Sequence, residues 1–419
     1  MTKPPLSGLK VLELGELVAG PFIGTLLGEF GAEVIKVERP GRGDILRQFG
    51  PMVDGESLYW RINGRNKKSV VLDLDKASAR TVLGELIARC DVLINSLRPG
   101  TMEKWGFTEE SLKASLPGLV VVYVSAFGRT GPKASEGGYD PIAQGFSGLS
   151  DLTGEADGPP MRAGGSIPVC DFMTGVAGAL GTVLSLYGRD RVPGARGQSV
   201  DIALYDVAFR MTAPLLSYFD LSQEVWSRSG NHSLGGAPTG HFLTGDDRWV
   251  CVSVQNDEQF RRLARLVNRS DWLTDDRYSD SASRTKHREL ICREFADWAR
   301  SQTRENLIQS FENQGLVAGP INNVADLATD PHLAARGYGW VQDDELGEYR
   351  MPDVVPRLSD SPGSVRHRAP ALGADTLDVL KRELSYSDAT CTRLLGEGAL
   401  GVAGRDMQRD DGTEDLRDH

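Results

Sequence analysis

An aspartate at the junction of a turn-rich loop and a compact helix carries the strongest chemical signal in this chain. The loop reads Gly158-Pro-Pro-Met-Arg-Ala-Gly-Gly-Ser-Ile-Pro-Val-Cys-Asp171, and a stretch rich in Gly, Ala and Leu, Phe172–Tyr187, follows it with helical character. A carboxylate placed just before a helix accepts unpaired backbone N–H groups and feels the positive end of the helix dipole, so Asp171 is expected to stay ionised. An ionised, immobilised carboxylate is a candidate nucleophile. The plainer alternative is an N-cap and nothing more, because Asp is strongly preferred at that position. Upstream, Gly137-Gly-Tyr-Asp140 is a second chemistry-bearing turn.

Positive charge gathers in other loops. Arg39-Pro-Gly-Arg-Gly-Asp44 follows one apolar run, Arg61 and Arg65-Asn-Lys-Lys68 precede another, and Arg98 and Lys104 follow a third. In a parallel sheet the loops after the strand carboxyl ends line the ligand crevice, which places Arg39, Arg98 and Lys104 where phosphates could be met. Solvated loop charge is the competing explanation. A glycine-rich run, Gly230-Asn-His-Ser-Leu-Gly-Gly-Ala-Pro-Thr-Gly240, reads as a loop that is mobile or approaches a ligand closely.

The elements that position these residues alternate. Apolar runs at Leu9–Leu14, Val34–Val37, Ser69–Leu74, Asp91–Ser96, Leu119–Ser125 and Gly197–Leu204 read as strands. Helical spacing at Pro21–Gly31, Ala77–Ala88, Glu109–Ala114 and Asp206–Phe219 separates them. That alternation predicts an α/β fold with a doubly wound, mostly parallel sheet. From about residue 223 to 325 the chain turns helix-rich around a strand at Trp249–Val254, which reads as a smaller domain. Residues 1–222 form the first part of the large domain on this reading, 326–400 return to it, and the charged tail 401–419 is expected to be disordered.

Composition sets bounds. In 419 residues, 40% hydrophobic and 25% charged, Lys and Arg number 47 against 58 Asp and Glu, a net charge of −11. Such an acidic chain is a poor nucleic-acid binder. Five cysteines without CxxC spacing suggest neither disulfides nor a zinc site, in keeping with a reducing, cytoplasmic location. The apolar segment 172–187 reads as too short to span a bilayer, so no membrane partner is expected. The glycines of the first βα turn, Gly15, Gly20 and Gly24, do not match the dinucleotide fingerprint, and P-loop, HExxH and GxSxG motifs are missing.

Taken together, several stretches resemble the class III CoA-transferases, the CaiB/BaiF family. They are Leu6-Ser-Gly-Leu-Lys-Val-Leu-Glu-Leu, Ala19-Gly-Pro21, Gly31-Ala-Glu-Val-Ile-Lys-Val-Glu-Arg-Pro40, Asn66-Lys-Lys-Ser69, Gly128-Arg-Thr-Gly-Pro132, Gly138-Tyr-Asp140, the Asp171 region and Gly319-Pro-Ile-Asn322. They run in order from about Leu6 to Leu400, and the likeness is nearest to dicarboxylate transferases of the succinyl-CoA:glutarate type.

The resemblance implies a large Rossmann-like domain built from both chain ends, a smaller α+β domain, and an interlocked homodimer with active sites at its interface. It implies Asp171 as the catalytic aspartate, passing through an acyl anhydride and an aspartyl-CoA thioester, with CoA esters as substrates and neither metal nor permanently bound cofactor. Val18, Arg39, Leu72, Ser96, Leu97, Arg98, Lys104 and Tyr139 correspond to the family's CoA-binding positions. Tyr139 falls beside the thioester, and Gly235 and Gly236 fall in its glycine loop. Val18 stands where formyl-CoA transferases carry Gln, which argues against formyl-CoA or oxalate. Pro238-Thr239 departs from a common Pro-Tyr pair in that loop. The substrates expected are a succinyl-CoA-like donor and a dicarboxylic acceptor acid. An α-methylacyl-CoA racemase of the same fold is the alternative. It needs a His where this chain has Tyr139, whose ordinary pKa near 10 makes it a poor base at neutral pH.

Overall fold

The computed structural model describes residues 3–231 and 236–404, and the expected disordered tail lies, from residue 405 on, outside the described residues. The described residues fold into two compact units, one of residues 3–150, 162–224 and 338–404, the other of residues 151–161, 225–231 and 236–337.

The first unit is organised by a seven-stranded sheet. In chain order its elements are β1 (Lys10–Leu14), α1 (Ala19–Glu29), β2 (Glu33–Glu38), β3 (Lys67–Leu72), α2 (Ala77–Ile87), β4 (Val92–Asn95), α3 (Glu109–Ser115), β5 (Val120–Ser125), α4 (Asp140–Phe146), α5 (Val169–Arg191), β6 (Ser199–Ala203) and α6 (Leu204–Ser222). The six strands run parallel in the order β3-β2-β1-β4-β5-β6, the doubly wound Rossmann order, which reverses direction between β1 and β4. Their near-continuous Val, Ile and Leu content suits strands covered on both faces. One face packs Leu12, Ile35 and Val121 against α2, and the other packs Val11, Val34 and Val122 against α1 and α5. The C-terminal strand Leu400–Gly401 pairs antiparallel with β3, so the sheet is mixed at one edge and Gly401 belongs to it.

The second unit has a three-stranded antiparallel sheet of Thr239–Leu243, Trp249–Ser253 and Val317–Pro320. Helices Asp257–Leu266, Arg288–Ala299 and Arg304–Asn313 accompany it, and Phe260, Trp272, Phe295 and Phe311 share its core with Val250 and Val252.

Helix α5 departs most from expectation. It begins at Val169 rather than Phe172 and runs 23 residues to Arg191, so by length and composition it is sufficient to cross a membrane, unlike the segment 172–187. Its buried side is small or polar (Gly175, Gly178, Thr182, Ser185), because α1 lies close there. A Cβ on Gly178 would come within 2.4 Å of Ile23 Cδ1, so a larger residue would have to displace the Ile23 side chain. The large apolar residues Val176, Leu180, Val183, Leu184 and Tyr187 are therefore turned outward.

Candidate active site

The strand-order reversal between β1 and β4 opens a crevice at their carboxyl ends, the place where doubly wound sheets bind ligands. Chain packing is tight at its floor. Gly15, just past β1, has φ 134°, and a Cβ there would lie 1.8 Å from Ser96 Oγ, just past β4, so the position favours glycine. The Ser96 hydroxyl is buried there without a hydrogen-bond partner among the described residues.

Two cavities occupy the crevice. The first, about 670 Å³, is lined by Glu16, Leu17, Arg39, Ser96, Leu97, Arg98, Tyr139 and Asp171. The second, about 430 Å³, is lined by Gly15, Glu16, Arg39, Leu72, Leu97, Arg98, Lys104 and Trp105. Glu16, Arg39, Leu97 and Arg98 belong to both walls, so the two adjoin. Seven of the eight expected CoA-binding residues, together with Asp171, thus gather along one crevice. Val18 does not join them: its side chain packs with Leu46, Trp60 and Ala369 in an apolar cluster. Gly235 lies outside the described residues. Gly236, in the second unit, has φ 78° and a Cβ there would meet Val254 O at 2.4 Å, so its own packing explains the glycine.

Charge divides unevenly along the crevice. Glu16 holds Arg39 at 3.1 Å and Arg42 at 3.4 Å, whereas Arg98 and Lys104 have no acidic partner among the described residues. Trp105 adds an aromatic wall beside Lys104. Neither Glu16 nor Trp105 stood out in the sequence, since each is one polar or aromatic residue in a loop without a motif.

Asp171 is not the N-cap. Helix α5 starts two residues before it, Pro168 holds the cap position without a side-chain hydrogen bond, and Asp171 sits in the first turn. The capping is done from a distance by Asp140: its Oδ1 accepts the Cys170 N–H at 2.7 Å. Its Oδ2 accepts Gln144 Nε2 at 2.8 Å and Arg162 Nη2 at 3.2 Å. The motif Gly137-Gly-Tyr-Asp140 therefore carries two functions, Tyr139 on the cavity wall and Asp140 behind the helix start.

Asp171 itself is 8% exposed, and no group among the described residues donates a hydrogen bond to its carboxylate. Burial, with the neighbouring Asp140 charge as a second cause, pushes its pKa up to about 7. The expectation of a stabilised, fully ionised carboxylate fails here because Asp171 stands inside the first turn and not at the cap, where burial and the Asp140 charge outweigh the helix end. A carboxylate with raised basicity, aimed into a cavity and held by no protein donor, is a better nucleophile than a capped one. Cys170 is fully buried and its thiol is pushed up to about 12, first by burial, then by Asp140 and Asp171, so it packs and does not react.

A sequence profile described as CoA-transferase family III matches residues 6–376 of this chain. The chain is 39% identical to the succinyl-CoA–L-malate CoA-transferase beta subunit of Chloroflexus aurantiacus, over 92% of this chain and 96% of that one. It is 34% identical to the succinate–glutarate CoA-transferase of Agrobacterium fabrum, over 93% and 98%. Among solved structures, a CaiB/BaiF family protein from Brucella suis superposes with a TM-score of 0.80 at 31% identity, covering 91% of this chain and 100% of that one.

Proposed function

The chain belongs to CoA-transferase family III and is a CoA-transferase, and on that premise we propose that it moves CoA from succinyl-CoA to a second dicarboxylic acid through covalent catalysis by Asp171. The observation that carries the proposal is the crevice itself. It has a basic carboxylate in one cavity and, lining the adjoining one, the cations Arg98 and Lys104, none of the three with a partner of opposite kind among the described residues. A CoA ester has the matching polarity, a thioester at one end and phosphates at the other. The relatives named for succinyl-CoA favour a dicarboxylate pair over formate and oxalate.

The chemistry balances without a proton, metal or redox partner. An Asp171 oxygen attacks the thioester carbonyl, the C–S bond breaks, and CoA thiolate leaves an aspartyl–acyl anhydride. The thiolate attacks the Asp171 side-chain carbonyl, releasing the donor acid and leaving an aspartyl-CoA thioester. The acceptor carboxylate attacks that thioester and expels the thiolate again. Attack of the thiolate on the acceptor acyl carbon then gives the new CoA ester and restores Asp171. Backbone N–H groups of the glycine-rich turns around the cavity are suited to the transient oxyanions. The racemase alternative finds no support, since Tyr139 occupies the position of its base and the relatives above are transferases.

The direct test is intact-peptide mass measurement after mixing the protein with succinyl-CoA. A CoA adduct on the peptide containing Asp171, discharged by malate or glutarate, is the expected outcome. A protein that consumes succinyl-CoA with no adduct on that peptide would sink the covalent route.

Arg98 and Arg39 are proposed to meet the CoA phosphates. Alanine at both should raise the KM for the CoA ester about tenfold while leaving kcat within about threefold, with a shallower salt dependence. An unchanged KM would assign both to solvated loop charge.

We further propose that the chain works as an interlocked homodimer. Val183 is 40% exposed, Val176 56%, Leu180 and Leu184 60% and Tyr187 63%, an apolar stripe along α5 that a second copy would cover. Light scattering should give twice the chain mass. The double substitution L180E/L184E should shift the protein to monomer, and a wild-type monomer at micromolar concentration would end the idea.

A further inference from the structure

The turn that follows β1 shapes both cavities and holds a conformation its own residues disfavour. Gly15 and Glu16 line the second cavity, Glu16 and Leu17 the first, and Leu17 has φ 67°, the left-handed region that a leucine seldom adopts. Nothing local favours that shape. What fixes it is a group of buried charges between the sheet and α1.

Asp44, from the loop after β2, accepts the Leu17 N–H at 2.9 Å and the Leu46 N–H at 2.8 Å through the same Oδ1. Its Oδ2 is 2.7 Å from Lys36 Nζ. Lys36, on β2, also donates to the Gly15 carbonyl at 2.9 Å and pairs with Glu13 of β1 at 2.9 Å. Glu13 is opposite Lys36 in the sheet register, and Lys67 of β3 meets it at 2.9 Å and donates to the Pro21 carbonyl at 2.7 Å. Glu38 accepts the Asp44 N–H at 2.9 Å and is itself held by Arg47 at 2.7 Å. The side chains of Glu13, Asp44, Lys36 and Lys67 are at most 1% exposed.

Buried ion groups of this kind are weak sources of stability, because apolar replacements of equal volume commonly do as well. Their placement explains them better. Asp44 and Lys36 grip the turn at two points, the N–H of Leu17 and the carbonyl of Gly15, and Asp44 also stands in the wall of the second cavity.

We propose that Asp44 and Lys36 are positioning residues for the CoA ester. They hold the Gly15–Val18 turn in its left-handed, ligand-ready shape before the ester binds, so affinity for the ester depends on them and the reactivity of Asp171 does not. This rests on the reading of the two cavities as the CoA-ester site. A released turn visits the left-handed shape roughly one time in ten, and apparent affinity falls by the same factor.

The test compares Asp44→Ala, which removes the acceptor of the Leu17 N–H, with Asp44→Asn, which keeps it. Expected is a rise of about tenfold in the KM for succinyl-CoA and in the Kd for CoA by calorimetry in D44A, with kcat within about threefold, and a rise of no more than about threefold in D44N. A purely structural role would lower thermal stability and the fraction of active protein in both variants but leave KM where it was. A folded D44A with KM within twofold of wild type overturns the proposal. Hydrogen exchange on the wild-type protein decides the matter if D44A does not fold. The Leu17 amide should be protected before CoA is added and no more protected afterwards, whereas an amide that exchanges freely until CoA binds overturns it. A wild-type protein with no affinity for CoA or its esters, seen before any variant is made, would overturn the cavity reading as well.

Discussion

Replacing Asp171 by Asn should lower kcat for CoA transfer at least about 10³-fold and abolish the CoA adduct on its peptide, while CoA affinity stays within about threefold of wild type. The size follows from the role. A nucleophile that forms both covalent intermediates has no substitute, and an amide offers neither the charge nor the leaving group that the cycle needs. The separation of binding from chemistry follows from the geometry. Asp171 lines only the cavity that holds Tyr139, whereas Leu72 and Lys104 line the other, so on the proposed reading the nucleotide portion of a CoA ester would have contacts independent of position 171. Asp171→Ala serves as a control against slow deamidation of Asn back to Asp. Steady-state kinetics with succinyl-CoA and a dicarboxylate, beside calorimetry with CoA, reads both quantities. Retention of more than a tenth of the activity in D171A would remove Asp171 from the mechanism.

The elements that carry this site were largely legible in the sequence, because parallel strands covered on both faces write themselves as unbroken apolar runs. Strand β1 was expected at Leu9–Leu14 and spans Lys10–Leu14; β5 was expected at Leu119–Ser125 and spans Val120–Ser125. The crevice residues Arg39, Arg98 and Lys104 were placed by the same logic, since loops after strand carboxyl ends converge on one crevice. What failed had a common cause: partners far apart in the chain. The start of α5 was misread because Asp is the preferred cap, yet the cap comes from Asp140, thirty residues upstream. Lys67 read as one of a run of loop charges before a strand, but it lies within β3 with its side chain 1% exposed, because Glu13 on β1 and the Pro21 carbonyl receive it. Alternation cannot reveal such a residue, as a lysine inside an apolar strand looks like an edge or an interruption. Val18, carried into the site by resemblance, lines neither cavity, and its side chain packs with Trp60 and Leu46.

The raised pKa of Asp171 makes a prediction about stability that runs against its catalytic value. The folded protein holds the Asp171 proton up to about pH 7, whereas the ordinary carboxyl of an unfolded chain releases it near 3.8. The folded state therefore binds more protons between those values, and stability falls as pH rises across that interval. Below pH 3.8 both states are protonated and the contribution is fully present; above pH 7 both are ionised and it is lost. The interval corresponds to about 4 kcal/mol at most. Asp171→Asn, which cannot ionise, should accordingly be more stable than wild type above pH 7, by several degrees in melting temperature, and the difference should shrink steadily toward pH 4. Wild-type activity should rise along the same interval, because only the ionised carboxylate attacks, with its acid limb centred near pH 7. Burial is the larger cause and Asp140 the smaller, so Asp140→Asn should move that limb to lower pH by a fraction of the whole displacement. Thermal melts of wild type and D171N from pH 4 to 9, set beside the pH profile of kcat, test both halves together. Parallel melting curves across that range would mean that Asp171 ionises in the fold as freely as in water. The crevice would then hold a carboxylate of ordinary basicity in place of the more basic nucleophile proposed.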